Sequence, residues 1–343
     1  MKPVYINACE AYVPEQVETV DEALAKMKYE EQEAERDQYT SVATEQKLWP
    51  ADMALLAAKA TLESADVAAS DISFITYSYL HRQGHKNFWQ PAAYIQHQLA
   101  ADNALSTSVV HGCNGMMLAT GISLDHLAAN EEATALVISG DRFANSAFCR
   151  WQSDYGLVYG DAAVATILSN KPGLFKVLHF QQKSAAELEA MHRMTQPSPE
   201  SDETITSAHN VKEAKKSYMS QHGKARFFEV MQKTLDELRD GLISHTVLKH
   251  QLADWLILPH LGKGILSPLY EPTFNDLAIS DTWEFGRTVG HTGAADQYVS
   301  LSYLLKHEQL RQGELILLVG AGAGFSCSVM LLEVCEDILP AAS

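Results

Sequence analysis

The sequence predicts a layered α/β fold made of two related halves. Segments typical of strands and of helices alternate along the 343 residues. A hydrophobic fraction of 46% supplies enough apolar surface for a large core. The runs LVISGD and GDAAVATILS are loosely repeated by LILLVGAGAGFSCSVMLLE, which indicates a weak duplication. We therefore predict halves at 1–172 and 173–343, with a polar excursion at about 182–222 in the second half.

In the first half, strands are predicted where β-branched and aromatic residues concentrate or where an apolar run is short. An Ala-rich helix follows Pro50, because proline is tolerated at the start of a helix. The predicted strands are 3–9, 71–80, 106–113, 134–141 and 162–169, and the predicted helices are 51–65 and 115–129.

In the second half, helical spacing of apolar residues predicts helices at 225–245 and 294–310. A strand is predicted at 254–260, and 314–334 is predicted to form two strands joined by a Gly-rich turn. The stretch 182–222 is rich in Ser, Glu and Lys, so we expect a partly helical insertion outside the core.

Charge and composition exclude several classes of protein. A net charge of −17 disfavours nucleic-acid binding. No run of 18 apolar residues predicts a membrane helix, and an acidic N-terminal stretch argues against a signal peptide. Five cysteines without a CxxC pair argue against disulfides and a zinc site, so a cytoplasmic location is expected. A basic stretch at 212–226 is either a docking patch or a solvated helix face. Its basic residues are Lys212, Lys215, Lys216, Lys224 and Arg226.

Cys113 lies in the run HGCNGMM, between a predicted buried strand and a predicted helix. A thiol at such a turn projects from a helix N-terminus, where the macrodipole and free N–H groups favour the thiolate. The same backbone N–H groups can hold a developing oxyanion. A small buried core cysteine is the alternative, and the residues alone leave both interpretations open.

Two histidines and an acid follow in the second half. His260 comes directly after an apolar strand, at the strand end where α/β sheets place ligands. His291 and Asp296 lie in VGHTGAADQ, and either can orient a catalytic histidine. Structural roles stay open for all three, since a lone histidine is often a core residue. An acid in a first helical turn is also favoured by the macrodipole alone.

The run VGAGAGF at 319–325 has the alternating glycines of a phosphate loop. However, no GK[ST] follows, and the next residues predict a strand instead of a helix. We therefore interpret the run as a backbone turn that approaches a substrate closely.

Together and in this order, these segments resemble the β-ketoacyl-(acyl carrier protein) synthase III branch of the thiolase superfamily along nearly the whole chain. HGCNG resembles the family's nucleophile turn, DWLILPHLGKGIL its histidine motif and VGHTGAAD its asparagine motif. SGDRFA, YGDAAVATIL and GAGAGFSCS resemble two structural motifs and the C-terminal glycine turn. The resemblance implies a thiolase fold, five-layered αβαβα and built from two duplicated halves, usually as a homodimer.

Departures from the family pattern bear on the activity. Decarboxylating members use His and Asn to stabilise an enolate, but His291 stands at the Asn position here, and Asp296 replaces a small residue. A set of Cys113, His260 and Asp296 resembles an acyltransferase subgroup of secondary metabolism, which acylates hydroxyls or amines. A carboxylate beside the histidine raises its basicity, which suits that transfer. A set of Cys113, His260 and His291 resembles decarboxylating condensing enzymes instead. A non-catalytic partner subunit of an active paralogue is the remaining alternative.

The resemblance implies an acyl-enzyme mechanism with ping-pong kinetics. In it, Cys113 attacks an acyl thioester after activation by His260, which later deprotonates the acceptor. Asp296 supports the imidazolium, and His291 lines the site or bonds the acyl carbonyl. The backbone N–H groups of Cys113 and Ala323 hold the oxyanion.

Substrate contacts are expected from Met116, Phe148, Lys263, Gly322 and Gly324. The tryptophan and arginine with which the family grips the adenine of coenzyme A have no clear match, so an acyl carrier protein donor is as consistent with the sequence as coenzyme A. No permanently bound cofactor and no metal are expected. The predicted assembly is a homodimer, or a heterodimer with a paralogue.

Overall fold

The computed structural model describes residues 2–84, 88–130, 132–144, 148–193 and 211–340. The described strands are β1 (Tyr5–Tyr12), β2 (Val17–Thr19), β3 (Ser41–Ala43), β4 (Phe74–Ser78), β5 (Leu105–Val109), β6 (Thr134–Asp141), β7 (Ala162–Ser169), β8 (Phe175–Ser184), β9 (Ala253–Ile257), β10 (Ala278–Asp281), β11 (Leu315–Gly322) and β12 (Ser326–Val334). The described α-helices are α1 (Val20–Ala25), α2 (Glu31–Asp37), α3 (Pro50–Ser64), α4 (Pro91–Leu99), α5 (Gly115–Ala129), α6 (Val211–His222), α7 (Lys224–His245), α8 (Lys263–Ile265), α9 (Glu271–Phe274), α10 (Trp283–Val289) and α11 (Asp296–His307).

Ten of the described strands form one mixed sheet, in the order β10-β9-β11-β12-β8-β1-β7-β6-β4-β5. Counted outward from the centre, β1-β7-β6-β4-β5 and β8-β12-β11-β9-β10 repeat the same order of strands. The two sets join where β1 pairs antiparallel with β8, at Tyr5↔Lys176 and Ile6↔Phe175. This repeat confirms the duplicated halves. The boundary at 172 and 173 stays a prediction and falls between the end of β7 and the start of β8.

Apolar clusters reveal the layers of the fold. Helices α5 and α11 lie between the two sheet halves, where Met117 and Leu301 join strand residues of both halves in one core. Helices α3 and α4 cover the outer face of the first half through residues such as Met53 and Ile95. Helix α7 covers the outer face of the second half through residues such as Leu238. The predicted five-layered αβαβα arrangement is therefore confirmed.

The predicted strands and helices agree with the structure to within a few residues at their ends. Several described elements were not predicted, among them β8, β10 and α4. Strand β8 runs into the stretch 182–222, so that stretch begins inside the sheet. Helix α6 makes its later part helical, and 194–210 lie outside the described residues. None of the helices described is long and apolar enough to cross a membrane.

The segment after Val158 packs against the loop that carries His291. The His291 N–H donates to the Val158 carbonyl at 2.8 Å, and the Gly160 N–H donates to the His291 carbonyl at 3.0 Å. A Cβ on Gly160 would lie 1.9 Å from the Val289 carbonyl oxygen, so only glycine permits this approach.

We expect Gly160→Ala to lower the free energy of unfolding by about 2 to 3 kcal/mol, because the added methyl group forces two backbones apart. Gly223→Ala is the control: no atom lies within 4 Å of its Cβ position, and its φ of +81° costs about 1 kcal/mol. Urea unfolding of both variants measures the difference. An equal loss in the two would contradict the close-packing argument.

Candidate active site

Cys113 lies between β5 and α5, one residue before the helix N-cap Asn114. The Asn114 amide donates to the Ser326 and Ser328 hydroxyls at 2.9 and 2.7 Å, which ties this turn to β12 of the other half. The glycine turn presses on it from the same side, since a Cβ on Gly322 would lie 2.9 Å from the Cys113 nitrogen. The turn is therefore held between the two halves, with the thiol at the positive end of a central helix.

His291 and Asp296 complete a hydrogen-bonded relay with Cys113. The His291 Nε2 atom lies 2.9 Å from the Cys113 Sγ atom, and the His291 Nδ1 atom lies 2.6 Å from the Asp296 Oδ2 atom. The carboxylate can only accept, so Nδ1 carries a proton, and Nε2 faces the sulfur. This geometry is that of a nucleophile, a base and an orienting acid.

The Asp296 carboxylate is buried and fully hydrogen-bonded. Its Oδ1 accepts from the Thr292 N–H and hydroxyl at 2.7 and 2.8 Å, and its Oδ2 also accepts from the His260 N–H at 2.8 Å. Burial works to raise the pKa of Asp296, but the neighbouring His291 and these hydrogen bonds hold that pKa below its usual range. Burial works to lower the pKa of His291, but Asp296 and Cys113 raise it well above its usual range.

His260 is placed differently from the expected partner of Cys113. Its ring Nδ1 bonds to the Gly290 carbonyl at 3.0 Å, and its Nε2 bonds to the Ser300 hydroxyl at 2.7 Å. Because the carbonyl only accepts, Nδ1 carries the proton and Nε2 accepts from Ser300. Burial lowers the pKa of His260, although Asp296 acts in the other direction. The sequence-based placement of His260 beside the thiol is therefore corrected: the two ring nitrogens are used within the core, and the imidazole at the sulfur belongs to His291.

A cavity of about 560 Å³ opens at Cys113. Its wall is mainly aromatic and aliphatic, and it includes the glycine turn at Gly322 and Ala323. Representative apolar residues of the wall are Phe143, Phe148, Leu157, Tyr159, Phe227 and Tyr270. The shape and apolar wall fit an acyl chain attached to the thiol.

The residues expected to contact substrate divide into two groups. Phe148 and Gly322 line the cavity, whereas Gly324 is next to two lining residues without being one itself. The expectation that Met116 contacts substrate is corrected, because this residue faces the central core and is fully buried there. The same expectation for Lys263 is also corrected, because this residue lies outside the cavity wall. Its ammonium pairs with Glu271 and lies 5.1 Å from the Trp283 ring.

The backbone N–H groups of Ala323 and Cys113 were expected to hold the oxyanion. A Cβ on Gly112 would lie 3.0 Å from the Ala323 nitrogen, so the glycine turn and the nucleophile turn are in direct contact. Ala323 also lines the cavity next to Cys113. The use of these two backbone N–H groups as an oxyanion hole stays a prediction.

Two buried aspartates hold loops next to the site, one in the segment SGDRFA and one in the segment YGDAAVATIL. Asp161 pairs with Arg150 at 3.1 Å and accepts from the Phe143 N–H at 2.8 Å. Asp141 accepts from the Leu80 and His81 N–H groups, and burial raises its pKa to about 7. Both carboxylates fix loops that form the cavity wall.

Sequence reasoning did not identify Tyr159, Asp154 or Ser300 as site residues. The Tyr159 ring lies 5.2 Å from the His291 ring, and its hydroxyl donates to Asp154 at 2.7 Å. Tyr159 directly precedes the Gly-Asp of a family-like segment, and that position was the only signal available. Ser300 lies one helical turn after Asp296, where i and i+4 residues share a face.

Comparison with known proteins identifies the class. The family model described as 3-oxoacyl-[acyl-carrier-protein (ACP)] synthase III C terminal matches residues 246–334. The β-ketoacyl-[acyl-carrier-protein] synthase III of Syntrophomonas wolfei is 26% identical over 299 residues, 83% of each chain. The structure of ChlB3, an acyltransferase, is 27% identical, has a TM-score of 0.88 and covers 99% of both chains. The 3-oxoacyl-[acyl-carrier-protein] synthase III structure of Aquifex aeolicus VF5 is 19% identical, with a TM-score of 0.73, and covers 96% of this chain and 99% of that one.

The fold is a thiolase fold with two duplicated halves. Within this fold, the chain is similar to β-ketoacyl-(acyl carrier protein) synthase III-like enzymes, which carry out acyl transfer or condensation.

Asp296→Asn tests the electrostatics of the relay through the pH dependence of stability. The folded-state pKa of Asp296 is lowered, so its contribution is present above about pH 4 and is lost as the pH falls. The folded-state pKa of His291 is raised, so its contribution is present below about pH 6.5 and is lost as the pH rises through the raised value. We expect Asp296→Asn to cost about 3 kcal/mol near pH 6 and less at either extreme.

Urea unfolding over a range of pH measures this difference. Asp125→Asn, the same change at an exposed position of α5, is the control and should leave stability nearly unchanged at every pH. A cost of Asp296→Asn that does not vary with pH would contradict the ionised pair.

Proposed function

We propose that the protein is an acyltransferase that takes an acyl group from a thioester of coenzyme A or an acyl carrier protein, holds it on Cys113 and passes it to a hydroxyl or amine. The observation that carries the proposal is the relay of Cys113, His291 and Asp296 at the base of the apolar cavity. The similarity to the ChlB3 acyltransferase supports it.

Each half-reaction needs one base, and His291 is placed to serve both. Cys113 Sγ attacks the thioester carbonyl carbon with its proton already held on His291 Nε2, in keeping with the raised pKa of that imidazole. The thiol of the donor then leaves and takes that proton from His291. In the second half, the acceptor gives its proton to His291 as its oxygen or nitrogen attacks, and Cys113 leaves and recovers the proton. Asp296 stabilises the imidazolium in both halves.

The arrangement favours transfer over decarboxylative condensation. Condensation needs neutral donors aimed at a nascent enolate, but both ring nitrogens of His260 are bonded inside the core. His291, at the family's asparagine position, is bonded to a carboxylate, which disfavours a second negative charge nearby. A general base beside the acyl-sulfur bond suits an acceptor that carries a proton.

Basic residues at the rim of the cavity favour an acyl donor that is an anion. Four of the five basic residues between 212 and 226 line the cavity, namely Lys212, Lys215, Lys216 and Lys224. The fifth, Arg226, pairs with Glu187 and Glu229 outside it. Lys215 pairs with Asp154 and Lys212 pairs with Glu33. Within a chain of net charge −17, Lys216 and Lys224 are therefore the residues of this patch that can attract the phosphates of coenzyme A or of a carrier arm. Such donors are soluble, and we propose a cytoplasmic location.

The first experiment is the intact mass of the protein after incubation with acyl thioesters on coenzyme A and on carrier protein. A gain equal to the acyl group in the wild type, absent from Cys113→Ala, supports the acyl-enzyme. We expect His291→Gln to slow its formation by about 10²- to 10⁴-fold, because the base is lost. His260→Gln, the matched variant, should slow it less, since that ring does not touch the sulfur.

Other outcomes would replace the proposal. A stronger loss in His260→Gln than in His291→Gln would return the role of base to His260. Release of carbon dioxide from a malonyl donor, together with a lengthened product, would establish condensation. Absence of any acyl-enzyme across the donors would favour a non-catalytic partner subunit.

We also propose that two copies associate through β5. This strand lies at one edge of the ten-stranded sheet, and its Leu105 is 69% exposed. Val110, just beyond the strand, is 65% exposed. An edge strand that exposes an apolar residue is a ready template for pairing with another chain. A heterodimer with a paralogue would use the same edge.

Leu105→Lys should therefore weaken the dimer, because the new charge must be desolvated at the interface. Light scattering during gel filtration, over a dilution series, measures the change. Ile279→Lys is the matched control, since Ile279 lies on β10 at the other end of the sheet and is also 69% exposed. Dissociation by the control alone would move the interface to β10, and a monomeric wild type would refute the dimer.

A further inference from the structure

One ion pair interrupts the apolar wall of the cavity. The Lys215 ammonium of α6 lies 2.5 Å from the Asp154 Oδ1 atom, and both residues line the cavity. The side chains are 14% and 2% exposed, respectively. Withdrawing two charges from water is costly, and a buried pair is often no more stabilising than apolar residues of the same volume. Its presence, largely withdrawn from water, in the wall of a mainly apolar cavity therefore points to a role in recognition.

Both oxygens of the carboxylate in this pair already accept hydrogen bonds. Asp154 Oδ2 accepts from the Tyr159 hydroxyl at 2.7 Å, and Oδ1 also accepts from the Tyr155 N–H at 2.6 Å. The ammonium is less occupied, because it carries three N–H donors, and among the described residues Asp154 is its one acceptor at hydrogen-bond distance. Lys215 therefore keeps donors for an oxygen that enters the cavity.

The pair is also connected to the reacting atoms. Tyr159 bonds to Asp154 through its hydroxyl, and its ring packs against the imidazole of His291, which bonds to Cys113. Lys215 is thus one tyrosine side chain away from the relay. An acyl group on Cys113 would bring a distal atom, instead of its thioester carbonyl, to the ammonium.

We propose that Lys215 selects acyl groups that carry a hydroxyl or carbonyl oxygen beyond the thioester. The inference rests on the proposed acyl-Cys113 intermediate and adds its class of substrate. A saturated alkyl chain would cover the ammonium without replacing the water bonded to it, and that loss penalises the wrong substrate. An oxygen at the right position accepts the free donors and avoids the penalty. Asp154, held by Tyr159 and Tyr155, is the positioning residue for Lys215.

The test compares acylation rates of Cys113 by intact mass. The probes are the octanoyl thioester and a series of hydroxyoctanoyl thioesters in which one hydroxyl moves along the chain. All are made on the same small thiol, N-acetylcysteamine, so that only the acyl group varies. We expect one isomer to react about tenfold to a hundredfold faster than octanoyl in the wild type, as expected for a hydrogen bond to a charged group.

Variants separate recognition from a structural role. Lys215→Met should reduce the preference to about twofold or less, chiefly by speeding octanoyl transfer and slowing the preferred isomer. Lys216→Met removes a neighbouring charge at the rim of the cavity. Lys59→Met makes the same change at an exposed position of α3. Both controls should keep the wild-type preference. Should Lys215→Met fold poorly, Lys215→Gln, which keeps one donor group, should show an intermediate preference.

The outcomes for the two proposals differ. Acylation of Cys113 at equal rates by octanoyl and by every hydroxyl isomer overturns the inference and leaves the acyl-enzyme standing. An unchanged preference in Lys215→Met also overturns it, because some other group would then read the oxygen. Failure of every thioester to acylate the wild type overturns the proposed function and the inference together.

Discussion

The buried carboxylate of Asp296 is the interaction on which the site depends. It stands at the first position of α11, where the helix dipole favours an anion, and Thr292 saturates one of its oxygens. The other oxygen bonds the ring of His291 and the backbone of His260. One anion therefore fixes the imidazole that faces Cys113 and ties the segment after β9 to the central helix layer. Such a fully bonded charge is rigid, because moving any partner leaves it unsatisfied.

The relay is assembled from both halves of the duplicated fold. Cys113 precedes α5 of the first half, and Asp296 begins α11 of the second, so the positive ends of both central helices meet at the site. Asn114 and the glycine turn at Gly322 lock the nucleophile turn to the second half. Neither half alone contains both Cys113 and His291, so the proposed chemistry depends on the contact between the halves.

Local features could be predicted from the sequence, and the directions of side chains could not. Cys113 could be selected as a candidate because a thiol next to glycine, between strand and helix, is a local pattern. His260 was assigned to the thiol because its strand end suggests a ligand site, yet Gly290 and Ser300, distant in sequence, turn its ring into the core. Met116 was misplaced for a similar reason, since the face of α5 that meets the core depends on the packing of the layers. Strand β8 was missed because its residues are mostly half-buried and mixed in character.

The pairing of β1 with β8 has a mechanical consequence for the relay. These strands meet at two residue pairs, and the Cys113 to His291 contact of 2.9 Å spans the same junction between halves. A slip of one residue would shift one half by about 3.3 Å along the strand and turn its side chains to the opposite face. That displacement exceeds the whole length of the sulfur–nitrogen contact. The strand junction therefore sets the register on which the separation of the sulfur from the imidazole depends.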